Sequence, residues 1–262
     1  MIMKVLAVGD VCGKPGLEHL RRVLPAVRKT YGIDFAVVNG ENANVVGVTP
    51  GQCEEIFSAG ADVITLGNHT WSRTEMRDYL DRASRCLRPA NYAPQCPGRG
   101  VGVYETRFGP VQVVNALGRF TLDGNTDNPF VVVDNIIAGT PEDEDVIKIR
   151  LLDFHAEATS EKLAMGYFLE GRVSAVWGTH THVQTSDCCV LPGGTGYITD
   201  LGMTGPVRSV LGIEVEQSIG KFLGDPPRRY ASGGGRCKME CAVFEIDADT
   251  GRCLAAEALR VE

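Results

Sequence analysis

Five short apolar runs in this 262-residue chain each hand over to side chains of the kind that bind metal ions. Val5 to Gly9 is followed by Asp10, Phe35 to Gly40 by Glu41 and Asn42, and Ile64 to Gly67 by Asn68 and His69. Ile149 to Phe154 is followed by His155, and Val173 to Gly178 by His180 and His182. The runs are β-branched and alternate with helical patterns, so they read as strands of an α/β sheet joined by crossover helices. In open sheets of this kind, sites form outside the carboxyl ends of the strands, where residues distant in sequence converge on one crevice. Glycine directly before Asp10, Glu41 and Asn68 suits a backbone that turns sharply beside a crowded site.

Apolar spacing at Leu17, Leu20, Val23, Leu24 and Val27 predicts the first helix, with His19 on its surface. A second opens after Thr49-Pro50 and runs to Ala59, and a third ends near Arg82. Punctuation rich in Pro and Gly from Pro89 to Gly102 precedes strands over 102–107 and 111–115. A strand over 146–153, a helix over 160–170 and a strand over 173–177 follow. The tail from Cys188 to Val261 is β-rich, broken by a helix near 214–222. That order predicts one domain over residues 1–262 with two packed sheets.

Composition narrows the function. With 26 Lys+Arg against 33 Asp+Glu, a net charge of −7 and no basic block, a broad face for duplex DNA or an anionic membrane is disfavoured. Nine cysteines without a C-x-x-C pair read as reduced thiols, and no run approaches a membrane span, so a cytoplasmic protein is expected. Gly9-Asp10-Val11-Cys12-Gly13-Lys14-Pro15 is not a phosphate loop, because proline stands where Ser or Thr is needed.

Each candidate has a plainer reading. Asp10 alone would be a helix cap or turn former, Asn42 and Asn68 turn residues, and His155 a satisfied core imidazole. Thr179-His180-Thr181-His182 is the strongest single signal, since alternate residues of an extended segment point the same way. Together, imidazole, carboxylate and amide, with Cys12 the nearby thiol, suit Mn, Fe or Zn and disfavour a structural zinc centre. Asp10, Glu41, Asn42, Asn68, His155, His180 and His182 exceed the needs of one ion. A pair of ions roughly 3.5–4 Å apart, bridged by a carboxylate, uses them all, with Glu41 as the bridge.

Read in order, Gly9-Asp10, Gly40-Glu41-Asn42, Gly67-Asn68-His69 and Gly178-Thr179-His180-Thr181-His182 resemble the calcineurin-like metallophosphoesterases. Asn39 to Ala43, Gly67 to Trp71, Asp153 to Lys162, Gly178 to Asp187 and Asp200 to Pro206 resemble more closely the bacterial YmdB-type branch, over nearly the whole chain. The resemblance implies an α/β fold, a four-layer α-β-β-α sandwich of two mixed sheets with flanking helices. It implies a dimetal site at one sheet edge and hydrolysis of phosphodiesters such as 2′,3′-cyclic nucleotides. It places Asp10, Glu41, Asn42 and His182 on one metal and Glu41, Asn68, His155 and His180 on the other, and leaves His69 unligated. The chain has Cys12 where much of the superfamily has histidine. Asn42 then stands in for an imidazole, which predicts a weaker hold on that ion.

On this reading a hydroxide bridging two ions attacks phosphorus, and His69 protonates the leaving oxygen as general acid. The plainer role for His69 is to orient Asn68. Two rivals remain: a metal-dependent phosphomonoesterase using Arg208, Arg228 and Arg229, and a metal-binding regulatory protein with little turnover. The expected partner is a small phosphodiester or cyclic nucleotide, and a homo-oligomer is left open.

Overall fold

In the first strand, β1 (Ile2–Val8), Met3, Val5 and Ala7 point one way and Leu6 and Val8 the other. Both sets are buried, so the strand needs cover on both faces. The structure is a computed structural model and describes residues 1–122, 125–139 and 147–262. After β1 come β2 (Asp10–Val11), α1 (Gly13–Tyr31), β3 (Phe35–Asn39), α2 (Pro50–Ser58), β4 (Val63–Thr65), α3 (Met76–Arg82) and β5 (Cys86–Leu87). Then follow β6 (Val101–Thr106), β7 (Gly109–Leu117), α4 (Pro129–Ala138), β8 (Ile149–His155), α5 (Thr159–Phe168), β9 (Ala175–Thr179), β10 (Cys189–Val190) and β11 (Gly196–Ile198). The chain closes with β12 (Met203–Pro206), α6 (Val215–Leu223), β13 (Cys237–Asp247) and β14 (Cys253–Val261).

Two mixed sheets result. The first runs β2-β12-β13-β1-β3-β4-β5, with β14 also paired to β13; β1, β3, β4 and β5 are parallel and β13 is antiparallel to β1. The second runs β10-β11-β9-β8-β7-β6, parallel from β11 to β7 with antiparallel edges. Leu17, Leu20 and Leu24 of α1 pack with Leu6, Val8, Ala36 and Val38 on the outside of the first sheet. Between the sheets, Val5, Ala7, Phe35 and Val37 share a core with Val113, Leu151 and Trp177. Trp177 stacks on Phe244 with ring centroids 5.9 Å apart, and truncating such a residue to alanine costs about 3–5 kcal/mol. Val114, Phe154 and Val176 pack with Val133 and Met165 outside the second sheet. This is the expected four-layer sandwich, and it aligns the carboxyl ends of β1, β3 and β4 with those of β8 and β9.

Some expectations are corrected. His19 is buried rather than on the surface: it bonds to the Val261 carbonyl oxygen at 3.3 Å and accepts from Arg22 at 2.9 Å, because β14 covers that face of α1. The sequence reading has no element at α4, whose Phe130-Val131-Val132-Val133 run has strand character. Asn128 caps it by accepting from the Phe130 N–H at 3.0 Å, and Pro129 occupies the first turn. Val146, where a strand is expected to begin, lies outside the described residues; the strand is seen from Ile149. Among the described residues no helix is long and apolar enough to cross a membrane.

Candidate metal centre

The strand ends bring the candidates together. Glu41, His155 and His180 each offer one ligand atom within 4.8 Å of the others. His155 Nε2 lies 3.0 Å from Glu41 Oε1, 3.0 Å from Asn68 Oδ1 and 3.1 Å from His180 Nδ1. On the other side, His182 Nε2 lies 3.6 Å from Asp10 Oδ1 and 2.9 Å from the Asn42 amide nitrogen. Asp10 joins the two halves: its Oδ1 is 3.9 Å from His155 Nδ1, and its Oδ2 accepts the His180 N–H at 3.2 Å.

His155, His180 and His182 each have one ring nitrogen on an outer group and the other turned into the cluster. His155 Nδ1 bonds to Thr179 Oγ1 at 2.9 Å, and Thr179 donates to Asp153 Oδ1 at 2.7 Å. His180 Nε2 lies 3.0 Å from Glu157, and His182 Nδ1 lies 3.0 Å from the Leu211 carbonyl oxygen and 3.5 Å from Cys12 Sγ. Such outer partners fix tautomer and ring orientation in metal sites. Asp10 Oδ1, Glu41 Oε1 and Asn42 Oδ1 are buried without a hydrogen-bond partner. Three orphaned oxygens in one pocket are costly unless a cation compensates them. The donors present therefore fit divalent ions.

The charges agree. Burial pushes the Asp10 carboxyl up, but the nearby His182 imidazole, with His155, holds it below the usual carboxylate range. Burial likewise opposes ionisation of Glu41, and His155 and His69 outweigh it. Burial lowers His182, but Cys12 and Asp10 more than compensate and raise it well above an ordinary imidazole. His180, half-buried and beside His155, is pushed down to about 3 by desolvation and the His155 charge and stays neutral. Two buried carboxylates thus draw compensating positive charge, the role a bound cation takes over while displacing imidazole protons.

His180 and His182 converge for a different reason from the expected strand alternation. Their φ angles are 100° and 62°, so the segment is coiled, and each ring reaches a different part of the cluster. Non-glycine residues held there cost about 1–3 kcal/mol each and persist where surroundings over-determine them. Asp200 does so, accepting from Thr181 N–H at 3.2 Å and Thr181 Oγ1–H at 2.6 Å. His69 is half-buried; its N–H donates to Glu41 Oε2 at 3.0 Å, and its ring has no hydrogen-bond partner among the described residues. Ser72 is exposed and meets His69 only through its N–H, 3.0 Å from the His69 carbonyl oxygen.

Comparison with known sequences follows the same pattern. The family model described as YmdB-like protein matches residues 6–259. The chain belongs to the YmdB-like family. It is 40% identical over 260 residues to a Bacillus subtilis protein named 2′,3′-cyclic-nucleotide 2′-phosphodiesterase, covering 99% of this chain and 97% of that one. A crystal structure of a hypothetical protein from Thermus thermophilus superposes with TM-score 0.90 at 37% identity, over 99% of both chains. A Mycoplasma pneumoniae structure described as a novel phosphatase gives TM-score 0.92 at 32% identity, over 100% of this chain and 94% of that one.

Near these candidates stand two residues that sequence reasoning passed over. Asp153 lies two residues before His155, hence on the same side of β8, and accepts from Thr65, Thr179 and Asn39. Burial raises its carboxyl to about 6 despite those bonds. The period-two spacing from His155 was the available signal. Tyr92, whose phenol is raised to about 12 by burial and then by the Glu41 charge, packs edge-on to Trp71 at 5.6 Å; no pattern marks it.

Proposed function

We propose that this chain is a metal-dependent phosphodiesterase acting on 2′,3′-cyclic nucleotides, with residues 1–262 working as one domain. The observation that carries the reading is the set of imidazoles, each pinned by one nitrogen, around the orphaned oxygens of Asp10, Glu41 and Asn42. The name of the Bacillus relative supports the substrate class. Asp10, Glu41, Asn42 and His182 would hold one ion, and Glu41, Asn68, His155 and His180 the second, with Mn or Fe favoured and Zn also suited to these donors. Bound there, such ions supply Lewis-acid charge that activates water and neutralises phosphoryl oxygens.

The chain's own groups do the rest. Thr179 and Asp153 fix the His155 ring, Glu157 that of His180, and the Leu211 carbonyl that of His182. Hydrolysis consumes one water: its oxygen bonds to phosphorus, the P–O2′ bond breaks, and O2′ leaves with a proton. The His69 ring, without a hydrogen-bond partner among the described residues and beside Asn68, delivers that proton, a role worth roughly 10²–10⁴-fold. The test is hydrolysis of a 2′,3′-cyclic nucleotide by stripped protein with and without Mn²⁺, beside His69→Ala. Metal-dependent turnover that His69→Ala abolishes while still binding Mn²⁺ is expected. Undiminished turnover in His69→Ala would remove it as the acid, and none in loaded wild type would leave a binding protein.

A further inference from the structure

Beside the centre lies a cleft of about 460 Å³, lined by Asn44, Val45, Val46, Arg73, Arg229 and Tyr230. Two site segments build it. Asn44 follows Asn42 by two residues, Arg73 follows His69 by four, and the two loops interlock at Gly47 (φ 82°). A Cβ on Gly47 would lie 3.2 Å from Arg73 Cγ and 3.4 Å from the His69 carbonyl oxygen. Arg73 is pinned: the Asn44 side-chain oxygen, in the orientation that satisfies its amide, accepts from Nε and Nη2 at 3.2 Å each, leaving Nη1 unused. Across the cleft, Gln217 holds the backbone on both sides of Tyr230, through the Arg229 carbonyl at 2.7 Å and the Ala231 N–H at 2.8 Å. Among the described residues, no carboxylate forms an ion pair with Arg73 or Arg229, although acids outnumber bases in the chain.

Two uncompensated guanidinium groups beside a half-exposed aromatic ring match a phosphate and a base, not a neutral ligand. Resting on the phosphodiesterase reading, we propose that this cleft receives the nucleotide preceding the scissile cyclic phosphate, its phosphodiester on Arg73 and Arg229 and its base against Tyr230. The preferred substrate is then the 2′,3′-cyclic end of an RNA chain, and a free cyclic mononucleotide fills only part of the site.

The test compares a 2′,3′-cyclic mononucleotide with a dinucleotide carrying the same cyclic end, using the metal-loaded full chain. The dinucleotide should show a KM lower by about tenfold. Arg73→Gln and Arg229→Gln should each erase most of that advantage while leaving kcat and the mononucleotide KM unchanged. A dinucleotide with an uncharged methylphosphonate linkage should lose most of that advantage, keeping only what the base gains against Tyr230. Equal KM values for the charged dinucleotide and the mononucleotide, or variants that weaken both alike, would overturn the proposal. Failure of the underlying reading shows separately, as no hydrolysis of either ester; equilibrium titration of the two ligands against wild type and variants then decides whether the cleft prefers the dinucleotide.

Discussion

Asp200 Oδ2 receives the ammonium of Lys162 at 2.7 Å, and both side chains are buried. Asp200 also takes the N–H and hydroxyl of Thr181, the residue between His180 and His182, and its Oδ1 takes the Gly202 N–H at 2.8 Å. One carboxylate thus fastens α5 of the second sheet to the strained turn that supplies two imidazoles. Asp200→Asn leaves a buried ammonium without its anion and should cost about 3–5 kcal/mol in urea unfolding. Adding Lys162→Met should restore much of that stability, but Mn²⁺ affinity should stay about tenfold low, because Thr181 has lost its charged acceptor. Recovery of wild-type affinity in the double variant would show that the pair does not position the turn.

Thr179→Val keeps the shape of the side chain and removes the hydroxyl between His155 and Asp153. Loss of such an outer partner should weaken metal binding by about 10–100-fold. Titration with Mn²⁺ beside a thermal melt separates this from unfolding: affinity should fall far more than Tm.

A methyl group at Gly67 would overlap the His155 ring and Glu41 Oε2. Gly67→Ala should therefore push two ligand-bearing side chains apart and abolish binding of at least one metal equivalent, read by metal analysis after gel filtration. Full metal content in this variant would mean that the cluster has slack that the geometry does not suggest.

His19 sets a pH dependence away from the centre. Burial, and secondarily Arg22, hold its imidazole below the ordinary value of 6.5, against the pull of the Val261 carbonyl. The unfolded chain therefore binds the proton first, so the His19 contribution to stability is complete above about pH 6.5 and is lost as pH falls towards the folded-state value. His19→Gln keeps a donor for Val261 without titrating, and should flatten the decline in urea stability between about pH 7 and 5.

The positions that read most clearly from the sequence are those where a strand stops. A carboxylate, amide or imidazole after an apolar run breaks the pattern, so Asp10, Glu41, Asn68, His155 and His182 announce themselves, and the structure gathers them. Asp153 lies inside an apolar strand and Thr179 at the end of one, and neither polar residue shows its role until its partners on other strands are known. α4 is hidden because its apolar run suits a strand, and its cap decides otherwise. His19 needed knowledge of what covers α1, and Arg73 needed the Gly47 loop. All of these depend on contacts between segments far apart in the chain.

The candidate ligands come from both sheets: Asp10, Glu41 and Asn68 follow strands of the first, while His155 ends a strand of the second and His180 follows one. On the proposed dimetal reading, neither half of the sandwich would capture two ions by itself. Metal uptake during refolding would then work as a clock hand for the last assembly step, advancing only once the two layers have docked in register. A chain still waiting for that step would offer loose histidines and carboxylates but no cage, so the ions would be withheld from an incompletely folded molecule.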